Sequence, residues 1–189
     1  RRRHKNRRKY RIMPVKKDRE YRSLTAPLSA AAQTKRINTD YYVEGYATTF
    51  DKPYLLYEFE DGTKIYERID AHALDSADMS DVIMQYDHEG RVFARQSNGT
   101  LVLQPDEKGL FIAADLGKTD LARGLHQDIE AGMITKMSWG FTVAEDSYDK
   151  LTHTRTILKI AKVYDVSAVS IPANGDTEIS TRNAASRSY

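Results

Sequence analysis

The chain has 189 residues, enough for one domain with its own core, and contains no cysteine, which excludes disulfides and thiolate zinc sites. Its 29 Lys+Arg and 27 Asp+Glu leave a net charge of only +2, yet Arg1–Arg22 holds 12 basic residues against Asp18 and Glu20, so a basic arm is attached to an acidic body. No apolar run reaches the length of a membrane-spanning helix and no secretory signal is visible, while Arg1 in place of methionine points to a start of translation upstream or removed.

Residues 1–40 read as a flexible arm and lead-in. The basic part lacks the aromatic interleaving of a single-strand reader, having only Tyr10 and Tyr21, and is expected to be disordered when free. It suits an acidic protein surface, or nucleic acid only non-specifically. Small and polar residues around Thr25-Ala26-Pro27 then give a linker.

The body spans 41–177. Tyr42–Phe50 is rich in aromatic and β-branched residues and stops at Asp51-Lys52-Pro53, as a strand does. Strands Tyr54–Phe59 and Lys64–Ile69 flank Glu60-Asp61-Gly62-Thr63, a hairpin signal. Ala71–Met79 predicts a short helix capped by Asp70. Val82–His88 alternates so that Val82, Met84, Tyr86 and His88 share one face, with the turn at Glu89-Gly90. Leu101–Leu103 and Leu110–Ala114 form a further hairpin around Pro105–Gly109. Leu121, Leu125, Ile129 and Met133 mark one stripe of a helix over Asp120–Ala131, begun by Thr119 and stopped by Gly132.

In Met133–Val143, Met137, Trp139, Phe141 and Val143 fall on one face of a strand and Ser138, Gly140 and Thr142 on the other. After a turn-rich Tyr148–His153, Arg155–Ile160 and Val163–Ile171 supply the last strands. The tail, 178–189, is expected to fray. About seven short strands joined by hairpins predict a mainly antiparallel β-barrel with helices outside, since closure removes exposed edges.

No phosphate-cradling glycine loop and no histidine pair at metal-binding spacing occurs, so neither cofactor nor metal is expected. His4, His72, His126 and His153 read as surface or packing residues. His88 differs, ending a core strand on its apolar face: it is either a buried imidazole held by one hydrogen bond or a general base. Ser138 is either a serine on the solvent side of a half-buried strand or a nucleophile, and a nucleophilic serine needs such a base. A base needs an acceptor to fix its tautomer, and Asp165, a lone acid in Val163–Val169, suits that role. Its alternatives are a strand end or a salt bridge to Lys162 or Arg155. Glu89 is a second acceptor candidate if the strand ends at His88.

The order and spacing of several segments resemble the tailed-bacteriophage prohead serine proteases, relatives of herpesvirus assemblin. They are Val43-Glu44-Gly45-Tyr46-Ala47 with Phe50-Asp51, Glu67-Arg68-Ile69, His88-Glu89, Gly99-Thr100-Leu101, Asp106–Leu110, Met137-Ser138-Trp139-Gly140-Phe141, and Asp165–Val169 with Pro172-Ala173. The resemblance implies His88 as base and Ser138 as nucleophile, with Asp165 at the third, orienting position. Glu89 stands where the phage family often has aspartate. The arginine pair that supports the oxyanion in the herpesvirus enzymes has no counterpart in Asp165–Ile171.

The resemblance further implies a serine endopeptidase that cleaves scaffold, or the scaffold-like extension of the major capsid protein, and finally itself. It would work inside the prohead, in the cytoplasm of the bacterial host, as a homodimer and without a membrane. Two rival readings remain: a non-enzymatic scaffold-binding module that keeps the barrel, and a nucleic-acid-binding barrel led by the arm, against which the acidic body argues.

Overall fold

The computed structural model describes residues 18–23, 28–30 and 34–170. Most of the basic arm, part of the lead-in, the end of the last expected strand at Ile171 and the tail lie outside them. In chain order the elements are β1 (Glu20–Ser23), β2 (Tyr42–Thr49), β3 (Tyr54–Glu58), β4 (Lys64–Ile69), β5 (Ile83–Tyr86), β6 (Glu89–Arg95), β7 (Leu101–Pro105), β8 (Gly109–Asp115), α1 (Asp120–Glu130), β9 (Lys136–Asp149) and β10 (Thr154–Val169).

The fold is mainly β, but its sheets do not close into the expected barrel. One sheet has seven strands, in the order β1-β9-β10-β4-β3 with β5 on β10 and β6 on β5, and the other has three, in the order β2-β8-β7. The seven-stranded sheet is mixed, because β10 pairs antiparallel with β9 but parallel with both β4 and β5. At the outer edge of β2, Ser29 and Glu44 exchange both backbone hydrogen bonds, at 2.8 and 2.9 Å. The two sheets instead share one apolar core, in which Val43, Leu101 and Ile112 of the small sheet cluster with Met84, Trp139, Ile157 and Val163 of the large one.

The expected helix over 71–79 is a series of turns. Asp70 does accept the His72 N–H, at 2.8 Å, but the carbonyl of Ala73 accepts from Ile160 N at 2.8 Å instead of closing a helical turn. Asp78 N and O then bond Ala161 O and Val163 N, so this segment docks on the irregular middle of β10 by its backbone. The one α-helix among the described residues, α1, starts as expected, with Thr119 Oγ1 accepting from Ala122 N at 3.1 Å. Its buried stripe is Ala122, Leu125, His126 and Ile129, while Leu121 and Met133, expected inward, are exposed.

Part of the segment read as an arm is a strand. β1 pairs antiparallel with β9, placing Glu20 opposite Phe141, Tyr21 opposite Gly140, Arg22 opposite Trp139 and Ser23 opposite Ser138. Its hold comes from a buried charge cluster. Arg22 Nε donates to Glu67 Oε1 at 2.6 Å and its Nη2 to Glu67 Oε2 at 3.0 Å, while Arg155 donates to Glu20, Glu67 and Asp146 at 2.7 to 3.1 Å. Tyr54 also donates to Glu67. Burial works against the charge of both arginines, but the carboxylates around them hold each above its ordinary range. Burial, then the charge of Glu67, pushes the Tyr54 phenol well above its ordinary value.

Candidate active site

Residues directly opposite each other on paired strands turn their side chains to the same face. Register therefore builds two rows across β1, β9 and β10: Ser23, Ser138 and Ser167, and beside it Tyr21, Gly140 and Asp165. The reading of Ser138 as a serine on the solvent side of β9 does not hold. Ser138 is fully buried, and Met137, Trp139, Gly140 and Phe141 around it are buried too.

His88 reaches this face from a turn rather than from a strand. β5 ends at Tyr86, which pairs with Glu89, and Asp87 and His88 form the two-residue connection with φ of 50° and 61°. Positive φ at both central positions is the mark of a tight hairpin turn whose twist suits the strands it joins. The expected turn at Glu89-Gly90 is thus displaced, and both residues belong to β6. Tyr86, expected on the apolar face, is exposed. The turn is pinned to the end of β10: Asp87 N donates to Ala168 O at 2.9 Å, and the Asp87 carboxylate accepts from Ser170 N at 2.9 Å and from Ser170 Oγ. The strain of two non-glycine residues in the left-handed region is held by these bonds.

From that turn His88 Nδ1 meets Asp165 Oδ2 in a hydrogen bond, with both side chains largely shielded from solvent. Asp165 also accepts from Ser167 Oγ at 2.5 Å, and Ser167 Oγ accepts from Gln85 N at 3.3 Å. With Asp165 ionised, the proton of this pair sits on Nδ1 and leaves Nε2, which is buried, as the basic nitrogen. Ser138 Oγ, in the neighbouring row, is buried and makes no hydrogen bond among the described residues. Tyr21 packs on His88 with ring centroids 4.3 Å apart. Gly140 is needed where it stands: a Cβ there would lie 2.5 Å from Asp165 Oδ1 and 2.8 Å from Tyr21 Cε1.

The alternative partners of Asp165 are engaged elsewhere, Lys162 with Asp78 at 3.5 Å and Arg155 in the charge cluster. Glu89 is exposed at the start of β6. His72 pairs with Asp75 at 3.0 Å on the surface, His126 is buried against Tyr41, and His153 lies beside Tyr148 in the β9–β10 turn. The described residues contain no group of three or more acidic or histidine side chains placed to hold a metal ion, and no helix long and apolar enough to cross a membrane. The side chains of Tyr21 and Ser167 have no role assigned from the sequence, and Asp87, next to His88, is set aside there as pointing to the opposite face of a strand. Tyr21 was hidden in the basic arm, Asp87 read as a strand residue, and Ser167 is one small residue in a strand of small and apolar ones. Only the spacing Asp165-x-Ser167, which puts both on one face of a strand, signals the last of these.

A hydrogen-bonded histidine and carboxylate on the strand face that also carries a buried serine, without a bond between histidine Nε2 and serine Oγ, bring together the groups that serve nucleophilic catalysis. The chain belongs to the caudovirus prohead serine protease family, whose model matches residues 29–188. Membership makes it a serine peptidase of phage capsid maturation. His88, Ser138 and Asp165 fall inside the matched span, and β1 lies ahead of it. Searches of curated proteins and of solved structures each return no match.

Proposed function

We propose that this chain is a serine endopeptidase acting by acyl transfer, with Ser138 as nucleophile, His88 as general base and Asp165 as the residue that orients His88. The observation that carries the assignment is the His88–Asp165 hydrogen bond on the face of β9 that bears Ser138. Ser138 Oγ attacks the scissile carbonyl carbon as its proton passes to His88 Nε2. The tetrahedral adduct then collapses, the C–N bond breaks and the leaving amine takes that proton, which gives an acyl-serine ester. Water, deprotonated by the same nitrogen, hydrolyses the ester and restores the hydroxyl. Asp165 keeps the proton on Nδ1 and stabilises the imidazolium formed at each step, and Ser167 holds the carboxylate in place.

The substrates that fit family membership are the scaffold, or a scaffold-like extension of the major capsid protein, and the chain's own termini, cut inside the prohead. Intact mass followed over time, for the wild type and for Ser138→Ala purified side by side, tests the reading. The wild type sheds terminal pieces at fixed positions and the variant stays whole; equal trimming of both would remove Ser138 from the mechanism. A purely binding module predicts that a capsid partner is processed equally with either chain.

A further inference from the structure

β1 stands where an extended substrate would have to stand. Apart from β1, residues 138–141 of β9 would be a sheet edge, since β10 takes the other side. An extended peptide adds to such an edge through its main chain, while alternate side chains enter sites on either face and give specificity. β1 does both within its own chain. On the polar face Tyr21 lies against His88 and over Gly140, and Ser23 stands opposite Ser138. On the opposite face Arg22 makes a two-pronged pair with Glu67 at 2.6 and 3.0 Å, and Glu20 takes two prongs of Arg155 at 2.7 and 3.1 Å.

The residues that receive β1 form a matched receptor. Glu67, Asp146 and Arg155 together carry one more negative than positive charge, and a forked carboxylate site of this kind favours arginine over lysine. While β1 is docked, Ser138 is fully buried, so a peptide carbonyl cannot reach its hydroxyl.

Resting on the reading of Ser138 as nucleophile, we propose that residues 138–141 of β9 are a peptide-binding edge for an extended strand of the pattern acidic, aromatic, arginine, small. Glu67 and Arg155 read its charges, and β1, with Glu20-Tyr21-Arg22-Ser23, occupies the edge in cis and competes with substrate. The active form is then one in which β1 has left the edge. Glu67 and Arg155 act as specificity residues, at a distance from the bond that is cut.

The test uses the full chain and a fluorophosphonate probe that labels nucleophilic serines. Arg22→Ala is expected to label at Ser138 about 100-fold faster than the wild type, because one buried charge pair of β1 is lost. A synthetic peptide of residues 18–23 slows that labelling again and binds the variant by fluorescence anisotropy, and the same peptide with alanine in place of Arg22 does neither. Hydrogen–deuterium exchange of the wild type gives a readout that needs no variant: β1 amides exchange about 100-fold faster than those of β10, as a detachable strand must. β1 amides as protected as those of β10, or a variant that labels no faster and binds no peptide, overturn the proposal. If Arg22→Ala does not fold, the exchange measurement decides. Peptide binding and fast β1 exchange without labelling of any chain uphold the edge and remove Ser138 as nucleophile.

Discussion

The two faces of β9 are made of opposite materials. On one face Trp139 and Phe141 stack with centroids 4.1 Å apart, fully buried, next to the carboxylates and guanidinium groups that hold β1. On the other, Ser138 and Gly140 offer almost no side chain, and the space they leave is filled by Asp165, His88 and Tyr21. The first face supplies area and charge pairing, hence stability. The second supplies close approach and a chain of hydrogen bonds, and the proposed mechanism places reactivity there. One strand thus lets large residues fix the position of small ones, and substitutions on its two faces are expected to separate stability from rate.

The largest stability effect belongs to the aromatic face. Trp139→Ala removes a fully buried side chain and is expected to cost about 3–5 kcal/mol, read as a fall in the urea midpoint. A loss under about 1 kcal/mol would mean that this face does not anchor the strand.

Next comes the polar face. Ser167→Ala leaves Asp165 with one hydrogen-bond donor fewer and is expected to slow cleavage about tenfold, with stability changed by about 1 kcal/mol. A tenfold slower rate with no more than that small change in the urea midpoint separates the two faces; a loss of stability as large as the loss of rate would join them.

The smallest effect is a slope against pH. The Tyr54 phenol is held well above its ordinary value of 10.0 by burial and by Glu67. Above that value the unfolded chain ionises the phenol and the folded chain does not. The contribution is therefore complete below pH 10.0 and is lost as the pH climbs toward the raised value, by about 1.4 kcal/mol per pH unit. Tyr54→Phe lacks this term, so the stability gap between wild type and variant is expected to shift in the variant's favour above pH 10.0. Parallel curves would place the ionised phenol at no disadvantage in the fold.

Much of this arrangement was legible in the sequence where it depended on local periodicity. Alternation in Met137–Val143 gives the strand and its aromatic face, and Thr119 and Gly132 bracket the helix. What depended on distant partners was hidden. Ser138 looks solvent-facing because the strand that pairs beside it, with Ser23 opposite, comes from Glu20–Ser23, more than a hundred residues away in the chain. The helix expected over 71–79 gives way because β10 supplies hydrogen-bond partners that a helix would otherwise make internally. The barrel gives way to two sheets because β10 pairs parallel with β4 and β5, a long-range pairing that hairpin signals do not show. His88 was singled out, but glycine at position 90 drew the expected turn away from Asp87-His88, where side-chain bonds to Ser170 make positive φ tolerable without glycine. Asp165 stands out as a lone acid in an apolar strand, while Ser167 beside it does not.

In the proposed mechanism Asp165, through His88, arms Ser138. The most direct test is the rate at which a co-purified capsid or scaffold partner is cut by the wild type and by Asp165→Asn, followed by mass spectrometry. An amide keeps the shape but stabilises the wrong tautomer and cannot balance the imidazolium, so the rate is expected to fall about 10⁴-fold while the urea midpoint stays within about 1 kcal/mol of the wild type. Cleavage by Asp165→Asn within about tenfold of the wild-type rate would remove Asp165 from the mechanism.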